Sequence, residues 1–168
     1  MASLLHYAPS QVSVTIFGAY QLEGFSDSTF INITKNSKPF DSQRAMNGEV
    51  ARIYRKDERY IVEVTLAQSS VSNNVLMAIY NIDTATGLGK FPLMIRDGSG
   101  TTNFFALTSW IADIPQASFS NGMETRTWQF ECSEVSYGLG GNGSETDIEN
   151  VLSQSSALLS LLKQFGVF

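Results

Sequence analysis

Apolar and polar positions alternate over much of the chain, which is typical of half-buried β-strands because successive side chains of a strand point to opposite faces. Residues 11–17 show this pattern first, with Val12, Val14 and Ile16 on one face. Similar runs occur at 29–34, 91–96, 103–113 and 124–136. The runs are separated by glycine and other turn residues. The pattern therefore predicts a mainly β protein with antiparallel strands joined in hairpins.

Two long strands are predicted in the middle of the chain, at 49–56 and 59–68. Because only Asp57 and Glu58 separate them, we predict that the two strands form a hairpin with its tip at this acidic pair. The residues before the first of these strands, 35–48, include a proline and are predicted to form a loop.

Helical spacing replaces the alternation after residue 71. Ser72 is a predicted N-cap, and the helix is predicted to end near Gly87 after about three turns. Its apolar positions fall on one face at Val75, Leu76, Ile79 and Tyr80. The chain is thus expected to contain one helix inserted into an antiparallel β fold.

The last part of the chain is a second predicted helix, over 146–164, preceded by a glycine-rich hinge at 138–143. An apolar stripe at helical spacing comprises Ile148, Val151, Leu152, Leu158, Leu159 and Leu162. We therefore divide the chain into a β domain, 1–143, and a C-terminal amphipathic helix, 144–168. The sequence leaves open whether this helix docks on its own subunit or on a neighbouring one.

Composition limits the class of protein. The chain has 168 residues and 43 % hydrophobic content, enough for one domain with a buried core. Its N-terminus has no secretory signal, no stretch approaches the ~20 apolar residues of a membrane span, and there is one cysteine, so we expect cytoplasmic synthesis and no membrane insertion. A sequence pI near 4.8 argues against general nucleic-acid binding.

Positive charge is concentrated in residues 35–59, called here the basic stretch. It holds seven of the eleven Lys and Arg residues and has a net charge of +3, whereas the rest of the chain has a net charge of −8. Oppositely charged patches on one subunit favour head-to-tail self-association, and a solvated charged face is the alternative interpretation. The candidate subunit contacts are Lys35, Lys38, Arg44, Arg52, Arg55, Lys56 and Arg59.

Motifs for catalysis or cofactor binding are weak. Gly138, Gly140 and Gly143 match G-x-G-x-x-G, but no second parallel strand follows to complete a dinucleotide-binding unit, so a linker is the better interpretation. A nucleophilic triad needs a positioned base, and the single histidine is His6, near the N-terminus. One histidine and one cysteine do not make a zinc site. We predict no catalytic residues, cofactor or metal.

Aromatic side chains and the single cysteine are predicted to be structural. Cys132 shares a strand face with Trp128 and Phe130, which favours an inert core thiol. Trp110, Trp128, Phe104 and Phe105 are likewise predicted to lie in the core. The Asp57 and Glu58 pair is predicted to be solvated and paired with Lys56 or Arg59.

Four stretches of the chain together resemble a known family. They are 47–83, 95–102, 125–132 and 140–143, with the sequences NGEVARIYRKDERYIVEVTLAQSSVSNNVLMAIYNID, IRDGSGTT, TRTWQFEC and GGNG. The chain resembles, over about 10–143, phage structural proteins that are similar to the tail tube proteins of long-tailed, especially contractile, phages. The resemblance implies an antiparallel β-sandwich or barrel of the tail-tube type, flanked by a helix.

The resemblance also implies a function. Six copies would form a ring, and stacked rings would form a hollow tail tube in the virion through which DNA passes without specific binding. The implied partners are further copies of the chain and the tail sheath, baseplate and tail terminator proteins. The basic stretch would be the projecting element that contacts neighbouring subunits, and no catalytic residue is implied.

Two alternatives remain at this point. One is a tube protein of a related contractile injection or secretion system, which would use the same fold for protein passage. The other is a soluble β-sandwich binding module, for instance for carbohydrate. The binding module requires Trp110 or Trp128 to be exposed on a concave face.

Overall fold

The computed structural model describes residues 6–141, which form nine β-strands, one α-helix and a short 3-10 turn at Pro9–Gln11. In chain order the elements are β1 (Val12–Ile16), β2 (Tyr20–Gln21), β3 (Ile31–Lys35), β4 (Phe40–Arg44), β5 (Val50–Tyr54), β6 (Tyr60–Ala67), α1 (Ser72–Thr86), β7 (Phe91–Asp97), β8 (Asn103–Asp113) and β9 (Thr125–Gly138). The C-terminal helix predicted for 146–164 lies outside the described residues, so the division into 1–143 and 144–168 stays a prediction.

Seven of the strands form one antiparallel sheet with the order β2-β1-β7-β8-β9-β6-β3. In the pairing of the long strands, Val62 of β6 and Ile111 of β8 both lie opposite Phe130 of β9. β1, the second strand of this order, and β3, the last, line the same cleft, so the sheet is curled in the manner of an incomplete barrel. The predicted fold class, a mainly β antiparallel fold with one inserted helix, is confirmed.

The core lies on one face of the sheet and follows the alternation of the sequence. Val62, Val64 and Leu66 of β6 are fully buried, and Phe130 and Cys132 of β9 are buried beside them. Burial raises the pKa of the Cys132 thiol to about 12, with the nearby Glu131 carboxylate as the smaller cause. The predicted core position of Cys132 is confirmed, and a buried thiol with a raised pKa fits the predicted inert role.

The aromatic residues of β8 correct one prediction. Phe104 is fully buried, whereas its neighbour Phe105 is 39 % exposed, and Trp110 is only partly buried. Consecutive residues of a strand point to opposite faces, so Phe104 and Phe105 are not both on the core face. The prediction that Phe105 lies in the core was wrong.

Helix α1 packs Leu76 and Ile79 into the same core and ends at Gly87, whose φ of 70° is the left-handed geometry of a helix C-cap. The predicted N-cap was wrong. Ser72 is the first helical residue, and its Oγ accepts a hydrogen bond from the Glu23 amide at 3.0 Å and is 3.2 Å from the Tyr20 hydroxyl. The Ser72 side chain therefore links β2 and the residues that follow it to the start of the helix. No helix of residues 6–141 has the length and hydrophobicity required to cross a membrane.

A hydrogen bond between α1 and β9 provides a stability test. The Trp128 indole, 2 % exposed, donates through Nε1 to Asn73 Oδ1 at 2.9 Å. Replacing Asn73 with alanine leaves this donor without its acceptor and also removes the hydrogen bonds from Asn73 Nδ2 to the Ala67 and Ser70 carbonyls. We therefore expect a loss of about 1–3 kcal/mol in the free energy of unfolding. Urea denaturation followed by tryptophan fluorescence measures it. The exposed neighbour Asn74→Ala is the control, and equal losses in the two variants would contradict the role of this bond.

The pairing of the middle strands differs from the prediction. β5 does not form a hairpin with β6 but pairs with β4, from Phe40 opposite Tyr54 to Arg44 opposite Val50, in a separate two-stranded sheet. β6 pairs with β3 on one side and with β9 on the other. The apolar face of β6 is buried by a place inside the large sheet, between β9 and β3. β5 therefore pairs with β4, which belongs to the segment that was predicted to be a loop.

Candidate subunit interface

The β4–β5 hairpin and its flanks, residues 36–58, form an extension that we call the arm. Its turn is closed by hydrogen bonds from the Ala45 amide to the Glu49 carbonyl at 2.8 Å and from the Gly48 amide to the Ala45 carbonyl at 3.0 Å. Gly48 has a φ of 91°, which glycine adopts without the strain that a side chain would bring. Every residue from 38 to 56 is exposed. An isolated two-stranded hairpin is only marginally stable in water, so this arm suits a partner surface.

One face of the arm combines aromatic and basic side chains. The Phe40 and Tyr54 rings are 5.4 Å apart, and the Arg52 guanidinium carbon lies 3.5 Å from the centre of the Phe40 ring. A cation in this position is attracted by the negative face of the ring. Arg52 is therefore held along the hairpin by its own chain.

The other face of the arm carries an ion pair. Arg55 Nη2 lies 2.8 Å from Asp41 Oδ2, and Arg55 Nε donates to the same oxygen at 3.0 Å. Both side chains are more than half exposed, so the pair contributes little to stability in water. It does orient Arg55 across the hairpin.

The base of the arm is fastened to the large sheet by Arg59. Its guanidinium donates to Asp57 through Nε at 2.9 Å and through Nη2 at 3.1 Å, and to Glu131 of β9 through Nη1 at 2.9 Å. Asn36 Nδ2 also donates to Asp57 at 3.0 Å. The hydrogen bonds from Arg59, and then that from Asn36, hold the pKa of Asp57 well below its usual range, and the same pair raises the pKa of Arg59. The predicted pairing of Asp57 with Arg59 is confirmed.

This arrangement predicts an acid dependence of the arm base. The pKa of Asp57 is lower in the folded chain than its ordinary value of about 3.9, so the ion pair with Arg59 stabilises the folded arm at any pH above this value. The stabilisation is lost as the pH falls below the ordinary value and through the lowered pKa. In an NMR titration of the Asp57 carboxyl carbon, Arg59→Gln is expected to raise the pKa of Asp57 towards the ordinary value. Glu131→Gln, which leaves the Arg59 to Asp57 contact in place, is the control. An ordinary pKa of Asp57 in the unsubstituted chain would contradict the pairing.

The seven predicted contact residues divide into two groups. Arg52, Arg55 and Arg59 have the partners described above, and Lys35 Nζ lies 5.9 Å from the centre of the Tyr60 ring. Within residues 6–141, no ion pair involves Lys38, Arg44 or Lys56, and all three are exposed. The basic charge that is free to meet another molecule is therefore carried by Lys38, Arg44 and Lys56.

Sequence reasoning missed the apolar part of this surface. Exposed apolar side chains of the arm are Phe40 at 41 %, Met46 at 108 %, Val50 at 68 %, Ile53 at 44 % and Tyr54 at 58 %. The signal that identifies the arm was present in the sequence as Asn47-Gly48, because this dipeptide favours the tight turns of hairpins. It lies midway between β4 and β5.

A second exposed apolar surface lies at the other end of β6 and is called here the distal end. Val71 is 71 % exposed, Phe119 is 78 % exposed and Met123 is 70 % exposed. Glu124 and Gln68 exchange two hydrogen bonds there, and Glu23 is held near by the Ser70 side chain. The arm base adjoins Tyr60 at the start of β6, so the molecule presents an apolar arm with exposed cations at one end. At the other end it presents an apolar surface near Glu23 and Glu124, where the Arg126 guanidinium carbon lies 5.2 Å from the centre of the Phe119 ring.

Comparison with solved structures shows which fold this is. The tube-terminating cap of the anti-feeding prophage has a TM-score of 0.51 to this chain at 16 % identity, covering 82 % of this chain and 94 % of the cap chain. A chain of the sheath–tube complex of an extracellular contractile injection system, PVC, in its extended state has a TM-score of 0.55 at 10 % identity, covering 79 % of this chain and 91 % of that one. The β fold is thus shared with components of contractile injection systems.

Comparison of sequences assigns the family. No family model matches the chain. Structural protein ORF10 of Pseudomonas phage KPP10 is 32 % identical to it over 143 residues, which are 81 % of this chain and 83 % of the phage protein. An identity of 32 % over most of both chains indicates common descent. The predicted resemblance to phage structural proteins is therefore confirmed. The chain therefore belongs to the family of phage structural proteins that includes ORF10 of phage KPP10.

Proposed function

We propose that the chain is the subunit of a phage tail tube, in which six copies form a ring and stacked rings form a conduit for DNA. The observation that carries the proposal is the arm: an exposed β-hairpin with apolar side chains and three cations without ion pairs within residues 6–141. A surface of this kind is costly in an isolated subunit and suits an interface. The family of phage structural proteins and the fold of contractile injection systems support it.

The large sheet also supports assembly of several copies. β3 is the last strand of the sheet order, and β2 covers only Thr15 and Ile16 of β1, so the sheet of residues 6–141 has unpaired strand edges. Exposed edges favour pairing with another chain, and closing copies into a ring pairs them in a controlled way. The edges thus suit contacts within a ring.

The ends of the molecule suit contacts between rings. The arm has exposed apolar side chains and three cations without ion pairs within residues 6–141, and the distal end offers Val71, Phe119 and Met123 near Glu23 and Glu124. Two different and complementary surfaces on one subunit give head-to-tail contacts, which extend into filaments when they do not close. We infer that the arm of one subunit binds the distal end of the next.

The acidic remainder of the chain fits a DNA conduit. Outside the basic stretch the net charge is −8, and a surface of that sign repels phosphate groups, so DNA slides past it without being held. In this proposal the protein is part of the virion tail, and it contacts the tail sheath, baseplate and terminator as well as further copies of itself. It has no catalytic step.

A tube protein of a related contractile injection system is the second candidate, because the fold is shared with the PVC sheath–tube complex. It differs from the first in its cargo. A carbohydrate-binding module has less support, because Trp128 is 2 % exposed and Trp110 is only partly exposed, so neither offers an open platform for a sugar.

Negative-stain electron microscopy of the purified full chain, with sedimentation over a range of concentrations, tests the proposal. We expect rings that stack into tubes as the concentration rises. A single monomeric species at every concentration would contradict a tube subunit. Copurified or added double-stranded DNA inside the tubes would favour the phage conduit over a protein-injecting tube.

A further inference from the structure

A cleft of about 760 Å³ opens between strands from the two ends of the sheet order. Val12 of β1 and Ile95 of β7 line one side, Ile31 and Ile33 of β3 line the other, and Tyr137 of β9 joins them. Val12, Ile31, Ile33 and Tyr137 are only partly buried. These apolar side chains form the walls of a gap in the curled sheet, and polar residues of 26–29, with Asn32, Asp97 and Thr102, complete its lining.

The free edge of β3 belongs to this gap. Within residues 6–141 β3 pairs with β6 on one side and has no strand on the other. The cleft has two acidic lining residues, and one of them, Asp97, is already engaged because Oδ1 accepts hydrogen bonds from the Ser99 amide at 2.9 Å and the Ser99 hydroxyl at 2.8 Å. An uncharged, apolar segment would fit such a surface.

The described part of the chain ends at the rim of the cleft. Thr101 donates to the Gly141 carbonyl from its amide at 3.3 Å and from its hydroxyl at 3.2 Å. Thr102 Oγ1 donates to the Gly140 carbonyl at 3.0 Å, and Thr102 itself lines the cleft. Residues 142–168 thus begin beside this gap.

The sequence of that segment matches the chemistry of the cleft. Its acidic residues come first, at Glu145, Asp147 and Glu149, and residues 150–162 then contain no charged side chain. The predicted stripe contributes Val151, Leu152, Leu158, Leu159 and Leu162 within this uncharged run. As a helix, 146–164 would be about 28 Å long, and such a stripe is stable only when it is buried.

We propose that residues 146–164 dock as an amphipathic helix into this cleft of their own subunit and cover the free edge of β3. The short tether between Gly141 and residue 146 gives the segment a high effective concentration at the cleft, which favours its own subunit over a neighbour at low protein concentration. The proposal concerns the single subunit and does not depend on the tube.

Cysteine cross-linking in dilute full-length protein tests this docking. The native Cys132 is fully buried and its pKa is raised to about 12, so it contributes little background. Thr29, an exposed lining residue, is replaced by cysteine together with Leu152→Cys or Leu159→Cys on the stripe. We expect an intramolecular disulfide, seen as a monomer whose intact mass is lower by two hydrogens, in at least one of these pairs.

The matched control is Thr29→Cys with Ala157→Cys, which has a tether close to that of Leu159 but lies on the opposite face at helical spacing. For this pair we expect the disulfide to form at least about tenfold more slowly, a difference that corresponds to about 1.4 kcal/mol in activation free energy. Equal rates for the two faces would overturn the helical docking, and disulfide-linked dimers in dilute solution would overturn docking on the same subunit.

Hydrogen exchange of the unlinked full chain is the second readout. Leu159→Asp is expected to accelerate amide exchange in β3 at least about tenfold, because the stripe no longer covers the edge. Ala157→Asp is the control and is expected to leave β3 exchange unchanged. Slow β3 exchange that Leu159→Asp does not alter would also overturn the proposal.

Discussion

Replacing Arg44 and Lys56 together with glutamate is expected to prevent assembly while leaving the subunit folded. Arg44 ends β4 near the tip of the arm, and Lys56 follows β5 near its base. Both are exposed, and neither has an ion pair within residues 6–141, so their replacement breaks no ion pair that the structure describes. The reversed charges would instead meet the carboxylates of the next subunit, and like charges brought together at an interface oppose association.

The expected size of this effect is at least a tenfold rise in the concentration needed for assembly, which corresponds to about 1.4 kcal/mol. Electron microscopy and sedimentation measure it, and circular dichroism checks that the fold is retained. Lys90→Glu with Arg96→Glu is the matched control, since it also reverses one lysine and one arginine, both exposed and outside the arm. If the arm variant assembles normally, the arm is not the contact. If the control fails equally, overall charge is responsible rather than the arm.

Replacing Phe104 with alanine is expected to destabilise the subunit by about 3–5 kcal/mol. Phe104 is fully buried, and its ring is 5.9 Å from the Tyr60 ring and 5.5 Å from the Tyr137 ring in edge-on contacts. The substitution removes these contacts and leaves a cavity. Because domains of this size are stable by only about 5–15 kcal/mol, a loss of this size leaves a marginal fold.

Phe105→Ala is the matched control, because the same side chain is removed one position along β8. Phe105 is 39 % exposed, so we expect a loss of about 1 kcal/mol or less. Urea denaturation of both variants measures the difference, and Phe104→Leu provides a milder core change if the alanine variant does not fold. Equal losses at 104 and 105 would show that β8 does not present opposite faces to core and solvent.

These two positions illustrate why strands were predictable and side-chain burial was less so. Alternation is a local property of the backbone, and it correctly predicted the strands Asn103–Asp113 and Tyr60–Ala67 within about a residue at each end. Two adjacent phenylalanines carry no local sign of which one faces the core. That choice depends on β7 and β9, which flank β8 in the sheet.

Local sequence patterns also did not predict which strands pair with each other. The short separation between 49–56 and 59–68 favoured a hairpin, but β6 pairs with β9 over eight residue positions from Tyr60 to Ala67, and these strands are far apart in the sequence. The buried side chains of β6 gain more from a central position than from a hairpin with the exposed β5. The Asn47-Gly48 turn then allows β5 to pair with β4.

The sequence by itself determined the mainly β class, the inserted helix, much of the core and the positive charge of residues 35–59, because these follow from residue type and from spacing along the chain. Only the tertiary structure decided that five of the seven cations of this stretch lie on an exposed arm and that Lys35, Arg52, Arg55 and Arg59 already have partners in their own chain. Strand pairing, ion pairs and burial depend on residues that folding brings together from distant parts of the sequence. For this reason Lys38, Arg44 and Lys56, which have no ion pair within residues 6–141, were not distinguishable from the other four until the chain was folded.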